Sequence, residues 1–364
     1  MIPIAAPRIG EAERAAVERV LDSGRLADGP EVRAFEDEFA AVAGTDRAVA
    51  TANGTAALVT ALRALGIGAG DRVLTSPFTF VATANAVRLC GATPVFVDVD
   101  PATFDLSPDA LAEAVAADPD AYDAVIAVHL YGLPADVGAI GRICDRHDLA
   151  LIEDAAQAHG ARYGGDPVGS FGDVAAFSFY STKNMTTGEG GMVVTDRDDV
   201  ADAAARFVNH GRDGSGDRHV EVGHNLRMTS VAAAIGRVQL DRLPEFTAAR
   251  REHAARLTDR LADAPVWTPW VPDDREHVFH QYTVRHEARD RLADALADAG
   301  VDTGVYYPTP VNRQPAYPDA GGDTPVADRV AASVLSLPVH PGLTDADVDA
   351  VADAVVRCAR EVRA

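Results

Sequence analysis

Lys183 is the only lysine among the 33 lysine and arginine residues of this 364-residue chain, and it stands in AAFSFYSTKNMTTGEGG, residues 175–191. Arginine keeps its proton inside a protein, whereas a desolvated lysine becomes a free amine that can attack a carbonyl carbon. A chain that uses arginine for every other basic side chain thus keeps lysine where such chemistry could be needed. Taken alone, Lys183 also reads as an ordinary solvated lysine, and its neighbours must decide.

Further signals converge on it. After the apolar run RAVAT the chain reads ANGTAAL and enters a helix, so Asn53, Gly54 and Thr55 stand at a helix N-terminus with free N–H groups, a place suited to an anion. Singly, this turn also reads as a plain N-cap. Asp154 ends the run LALIEDAAQ, where an acid either caps the next helix or faces something positive. Ser178, five residues before Lys183, offers a hydroxyl to a phosphate, and the glycines of TGEGG are expected to let backbone pass close to a flat ligand. Phe80 in SPFTFVATANA either stacks on an aromatic ligand or packs in the core. A phosphate cradle, an acid for a ring nitrogen and an isolated lysine together meet the needs of a pyridoxal phosphate Schiff-base site. Neither GxxxxGK[ST] nor GxGxxG is present, so nucleotide-loop and dinucleotide readings lack their fingerprints.

These residues must be held by a scaffold, and the pattern supplies one. Apolar, β-branched runs at 47–51, 71–77, 93–100, 123–132, 149–157, 174–180 and 191–196 predict seven strands, and helical periods separate the first five. The alternation predicts an α/β fold: a mainly parallel seven-stranded sheet with helices on both faces, whose ligands bind at the carboxyl ends of the strands. From Ser230 a long helical region is expected to break at Pro244. The large domain is therefore placed at 1–244 and a smaller α+β domain at 245–364, with the N-terminal segment expected to pack on the smaller one.

Composition narrows the function. The net charge of -22 repels phosphate backbones and anionic lipid, which argues against nucleic-acid and membrane partners. Combined with the scarcity of lysine, it suggests adaptation to high salt. No run is long and apolar enough for a spanning helix, so a cytoplasmic location is expected. Cys90, Cys144 and Cys358 are far apart and read as core residues, with no disulfide framework and no metal site expected.

The ordered set NGTAAL, PFTFVATANAV, GATPVFVDVD, IEDAAQAHGA, FSFYSTKNMTTGEGG and GHNLRM, followed by LSLPVHPGLT, resembles the successive motifs of the DegT/DnrJ family of sugar aminotransferases. The resemblance spans nearly the whole chain. It implies the pyridoxal phosphate-dependent transferase type I fold and a homodimer with active sites at the subunit interface. Carried over residue by residue, it implies that Lys183 forms the Schiff base and that Asp154 holds the pyridine nitrogen. Gln157 would contact the ring hydroxyl and Phe80 would stack on the ring. Gly54, Thr55 and Ser178 would hold the phosphate, and Asn225 of GHNLRM would reach the phosphate of the partner subunit. His159 is expected to be packed or hydrogen-bonded rather than reactive.

The implied activity moves an amino group from glutamate or glutamine to a keto group of a nucleotide-linked hexose, for glycan or cell-envelope amino sugars. Two departures bear on the sugar: Asn312 and Tyr306 stand where family members carry histidine, and both are expected near the substrate. Relatives that dehydrate sugars replace the lysine with histidine, so Lys183 favours transamination. A regulatory role is the remaining alternative.

Overall fold

The computed structural model describes residues 1–214, 217–318 and 322–362; residues 319–321 of the proline-rich loop and 363–364 of the predicted C-terminal domain lie outside the described residues. The seven predicted strands form one sheet: β1 Arg47–Thr51, β2 Arg72–Thr75, β3 Thr93–Phe96, β4 Ala124–Val128, β5 Ala150–Asp154, β6 Val174–Ser178 and β7 Gly191–Thr195. Their order is β1-β7-β6-β5-β4-β2-β3. Strand β7 runs antiparallel to both neighbours and every other pairing is parallel, so β1, β6 and β5 point the same way.

Helices α2 Pro30–Ala43, α3 Gly54–Ala64, α4 Ala82–Leu89, α5 Pro108–Ala117, α6 Val137–His147, α7 Asp198–Val208 and α8 Ser230–Arg260 cover the sheet, and α1 Glu11–Ser23 packs on α8. Alternation of side chains along each strand sorts them. Val49, Ile126, Ile152, Ala176 and Val193 pack with α3, α4 and α7 on one face. Ala50, Ala175, Phe177 and Met192 meet α2 and α8 on the other, and Leu74, Val125 and Leu151 meet α5 and α6 there. With both faces covered, β4, β6 and β7 are buried along their whole length and read as continuous apolar runs.

A further core gathers Leu257, Tyr282, Val284, Leu292, Leu335, Val351 and Val355. It joins α8 to the antiparallel pair β8 Tyr282–Arg285 and β9 Val334–Leu337, and to α9 Arg289–Asp298 and the C-terminal helix Asp345–Glu361. Ile2 bridges to Val301 beside it.

The predicted break at Pro244 is not there. Helix α8 runs unbroken from Ser230 to Arg260. A proline in a helix interior removes one hydrogen bond and costs about 3 kcal/mol. Leu240, Leu243, Phe246 and Thr247 are buried on both sides of it, so packing outweighs that cost.

Candidate active site

Register brings the predicted chemistry to one edge of the sheet. Thr51 at the end of β1 and Ser178 at the end of β6 both lie opposite Gly191 of β7. Asp154 at the end of β5 lies opposite Ala176, two residues before Ser178. The segments leaving these strands open onto one cleft of about 970 Å³, lined by Asn53, Gly54, Thr55, Phe80, Asp154, Gln157, Ser178 and Lys183.

At the start of α3, Asn53 Oδ1 accepts a hydrogen bond from the Ala56 N–H at 2.9 Å, while the N–H groups of Gly54 and Thr55 have no partner among the described residues. A Cβ on Gly54 would stand 2.6 Å from Ser178 Cβ and 3.0 Å from its Oγ, so glycine is what lets that hydroxyl lie beside the free N–H groups. Two of the three glycines of TGEGG do something other than expected, while Gly188, at φ +83°, has open space beside it. A Cβ on Gly190 would meet Thr187 Oγ1 and one on Gly191 would meet the Asn53 carbonyl, so they seat the loop against its own chain rather than making room for a ligand.

Asp154 and Glu153 are adjacent but face opposite sides of the sheet. Glu153 accepts hydrogen bonds from the N–H groups of Gly169, Phe171 and Gly172, each at 2.8 Å, and from His129 Nε2 at 3.0 Å. The Ala135 N–H donates to His129 Nδ1, which leaves Nε2 as the protonated nitrogen. Burial raises the Glu153 carboxyl, but these donors outweigh it and hold it below its ordinary range. Asp154 has fewer. Thr83 Oγ1 donates to its Oδ2 at 2.7 Å and the Ala156 N–H to its Oδ1 at 3.2 Å. Burial wins and raises its carboxyl, with Thr83, Ala156 and Lys183 pulling the other way.

Lys183 is half-buried in the cleft wall, and burial pushes its ammonium down to about 8 against the pull of Asp154. Its free amine is therefore accessible near neutral pH. Gln157 is held from both ends: its Oε1 accepts from the Tyr131 N–H at 2.7 Å, and its Nε2 donates to Tyr307 Oη at 3.1 Å. Phe80 is 53% exposed, with its ring centroid 5.9 Å from that of Tyr307.

His159 is packed, with Phe177 and Phe179 ring centroids at 5.5 and 5.6 Å, and burial pushes it down to about 3. Asn225 is exposed and is not part of the cleft of its own chain. Tyr306 lines the cleft, but Asn312 does not: it is buried and its Nδ2 donates to Thr324 Oγ1 at 2.9 Å. The expectation that both face the substrate is corrected for Asn312. Sequence reasoning missed Thr83, Tyr131 and Tyr307; Thr83 sits inside the motif PFTFVATANAV, but nothing local shows that it reaches a residue 71 positions away.

This arrangement fits pyridoxal phosphate. Asp154 is a buried carboxylate with no ion pair among the described residues, the free N–H groups of Gly54 and Thr55 adjoin a hydroxyl, and the one lysine is near neutrality. Among the described residues no cluster of His, Cys, Asp or Glu could hold a metal ion. Cys90, Cys144 and Cys358 are free and buried.

Sheet, cleft and lysine together define an α/β enzyme of the aminotransferase class. Residues 7–356 match the DegT/DnrJ/EryC1/StrS aminotransferase family, and the chain belongs to it. It is 39% identical over 349 residues to the UDP-2-acetamido-2-deoxy-3-oxo-D-glucuronate aminotransferase of Pseudomonas aeruginosa, covering 96% of each chain. It is 41% identical over 336 residues to the pleiotropic regulatory protein of Geobacillus stearothermophilus, covering 90% of this chain and 89% of that one. The crystal structure of S. venezuelae DesV in complex with a ketimine intermediate matches with a TM-score of 0.93 and 42% identity, covering 96% and 95%.

Proposed function

We propose that this protein uses pyridoxal phosphate to transfer an amino group from glutamate or glutamine to a keto group of a nucleotide-linked hexose, supplying amino sugars for glycans or the cell envelope. The observation that carries the reading is the meeting of Lys183, Asp154 and the α3 N-terminus on one cleft at the carboxyl edge of the sheet. The relative that acts on a UDP-linked keto sugar is similar along its whole length, which supports the substrate class.

In this reading the N–H groups of Gly54 and Thr55, with the Ser178 hydroxyl, bind the phosphate, and the helix dipole adds to their attraction. Phe80 packs against the ring and Gln157 contacts its hydroxyl. Pyridoxal phosphate supplies an electron sink for the charge that develops when a proton leaves the amino-bearing carbon. Asp154 keeps a proton on the pyridine nitrogen, and the donor it gains there offsets its own burial. Lys183 Nζ, when neutral, would take the proton from the donor Cα and hand the same proton on from the same side of the site. Arginine could do neither task.

The partner subunit completes the site through Asn225, which makes a homodimer the working unit. The acidic surface is read as adaptation to concentrated salt and the location as cytoplasmic; among the described residues no helix is long and apolar enough to cross a membrane. Two relatives carry regulatory or sensory names, but the meeting of Lys183 and Asp154 in one cleft favours the catalytic reading.

The test is spectroscopic and chemical. Protein purified in high salt is mixed with pyridoxal phosphate, then with glutamate, beside Lys183→Ala. A visible band in the wild type that glutamate bleaches, and that the variant cannot turn over, supports the first half of the exchange. UDP-, dTDP- and GDP-linked keto sugars are then screened for an aminated product. Failure to bind the chromophore at any salt concentration sinks the reading.

A further inference from the structure

A much smaller cavity, of about 20 Å³, shares Thr182 and Lys183 with the cleft and is bounded also by Ser181, Asn184 and Arg250. Its wall contains three cationic side chains, Arg8, Lys183 and Arg250, and no aspartate or glutamate. That is unexpected in a chain with 55 acidic residues.

Arg250 is the central oddity. Its side chain is 6% exposed, on the buried side of α8. Nη1 donates to the carbonyls of Phe279 and His280 at 3.0 and 3.4 Å, but Nε is buried without a partner, and no carboxylate pairs with Arg250 among the described residues. Burial alone acts on its guanidinium, pushing it down to about 10, with no acid opposing. An arginine does not escape such a site by losing its proton, and a buried charge without a counter-charge is costly. The nearby His159 and His280 offer no negative charge either: each has buried ring nitrogen without a partner, and each is pushed down by burial and by the same two cations.

We propose that this cavity binds one monatomic halide, chloride in the cell, held by Arg250 with the Ser181 and Thr182 hydroxyls as further donors. Its volume suits about one water-sized particle and is too small for a carboxylic acid or a phosphate. A halide here neutralises Arg250, the buried cation that no acid opposes. The proposal does not depend on the substrate or the cofactor.

Two experiments on the full-length protein test it. Crystals grown in bromide are expected to give an anomalous peak beside Arg250 in the wild type; a cavity that is dry, or filled by water alone, overturns the proposal. Thermal unfolding is measured against chloride at constant ionic strength, with gluconate as the balancing anion. The wild type is expected to gain a few degrees with saturation, Arg250→Lys to need more chloride for the same gain, and Arg250→Met to show none. Equal Tm values in chloride and gluconate for the wild type overturn the site. If Arg250→Met does not fold, the bromide map of the wild type decides.

Discussion

Thr83 donates its hydroxyl proton to Asp154 Oδ2 at 2.7 Å, and Thr79 Oγ1 lies 3.0 Å behind it. Thr83 has one proton and it is spent on the carboxylate, so Thr79 must donate to Thr83. The two threonines form a one-way chain that ends on Asp154, the acid proposed to face the pyridine nitrogen. Both belong to the turn and helix that follow β2, while Asp154 ends β5.

Replacing Thr83 by valine keeps the shape and removes the donor. A hydrogen bond to a charged group contributes about 1.5–3 kcal/mol, so the affinity for pyridoxal phosphate is expected to fall about ten- to a hundredfold, with Thr83→Ser restoring most of it. Equilibrium binding of the chromophore checks this. An unchanged affinity in Thr83→Val would show that the carboxylate is positioned without the chain.

The neighbouring acids Glu153 and Asp154 are expected to respond in opposite ways. Glu153→Gln turns an amide N–H toward backbone donors and breaks a fully buried cluster, at a cost of about 3–5 kcal/mol. Asp154→Asn removes a carboxylate that burial disfavours, so the cofactor-free protein should be no less stable while turnover collapses. Urea unfolding of both variants, with turnover measured beside it, separates the two roles.

Lys183 carries a pH signature. Its ammonium is depressed to about 8 in the folded chain from an ordinary 10.5. Between those values the unfolded chain binds a proton that the folded chain does not, so this group makes stability rise with pH through that window. In the cofactor-free protein, Lys183→Met is expected to flatten the slope of stability against pH between 8 and 10.5. Capture of pyridoxal phosphate by the wild type should accelerate as pH passes about 8. An identical slope in the variant would place the depression elsewhere.

Asn225 lies outside the cleft of its own chain. If it serves a partner, Asn225→Ala and Lys183→Ala are each expected to be weak or inactive alone, and co-refolded mixtures should regain activity through hybrid dimers carrying one intact site. No regain on mixing would confine each site to one chain.

The residues that line the cleft are marked in the sequence by local signals. An isolated lysine, an acid at a strand end and an NGT turn are local signals, each tied to a strand–loop boundary that hydrophobic patterning marks well. The helix break at Pro244 was misjudged because the proline penalty is local, whereas the burial of Leu240, Leu243 and Phe246 that overrides it is not. Asn312 was misjudged for a similar reason: its partner Thr324 was not visible from the loop that carries it.

The sequence by itself determined the seven strands of the sheet, the residue types able to do the chemistry and the exclusion of other cofactor fingerprints, because periodicity, turn chemistry and motif spacing are properties of neighbouring residues. Only the tertiary structure decided that Thr51, Asp154 and Ser178 share one edge, since strand order and register arise from pairings between separate segments, as of Thr51 with Gly191 and of Asp154 with Ala176. It also decided which of two adjacent acids faces the cleft and that Arg250 is buried beside Lys183 without a counter-charge. Those facts depend on packing and desolvation, which no local stretch of sequence contains.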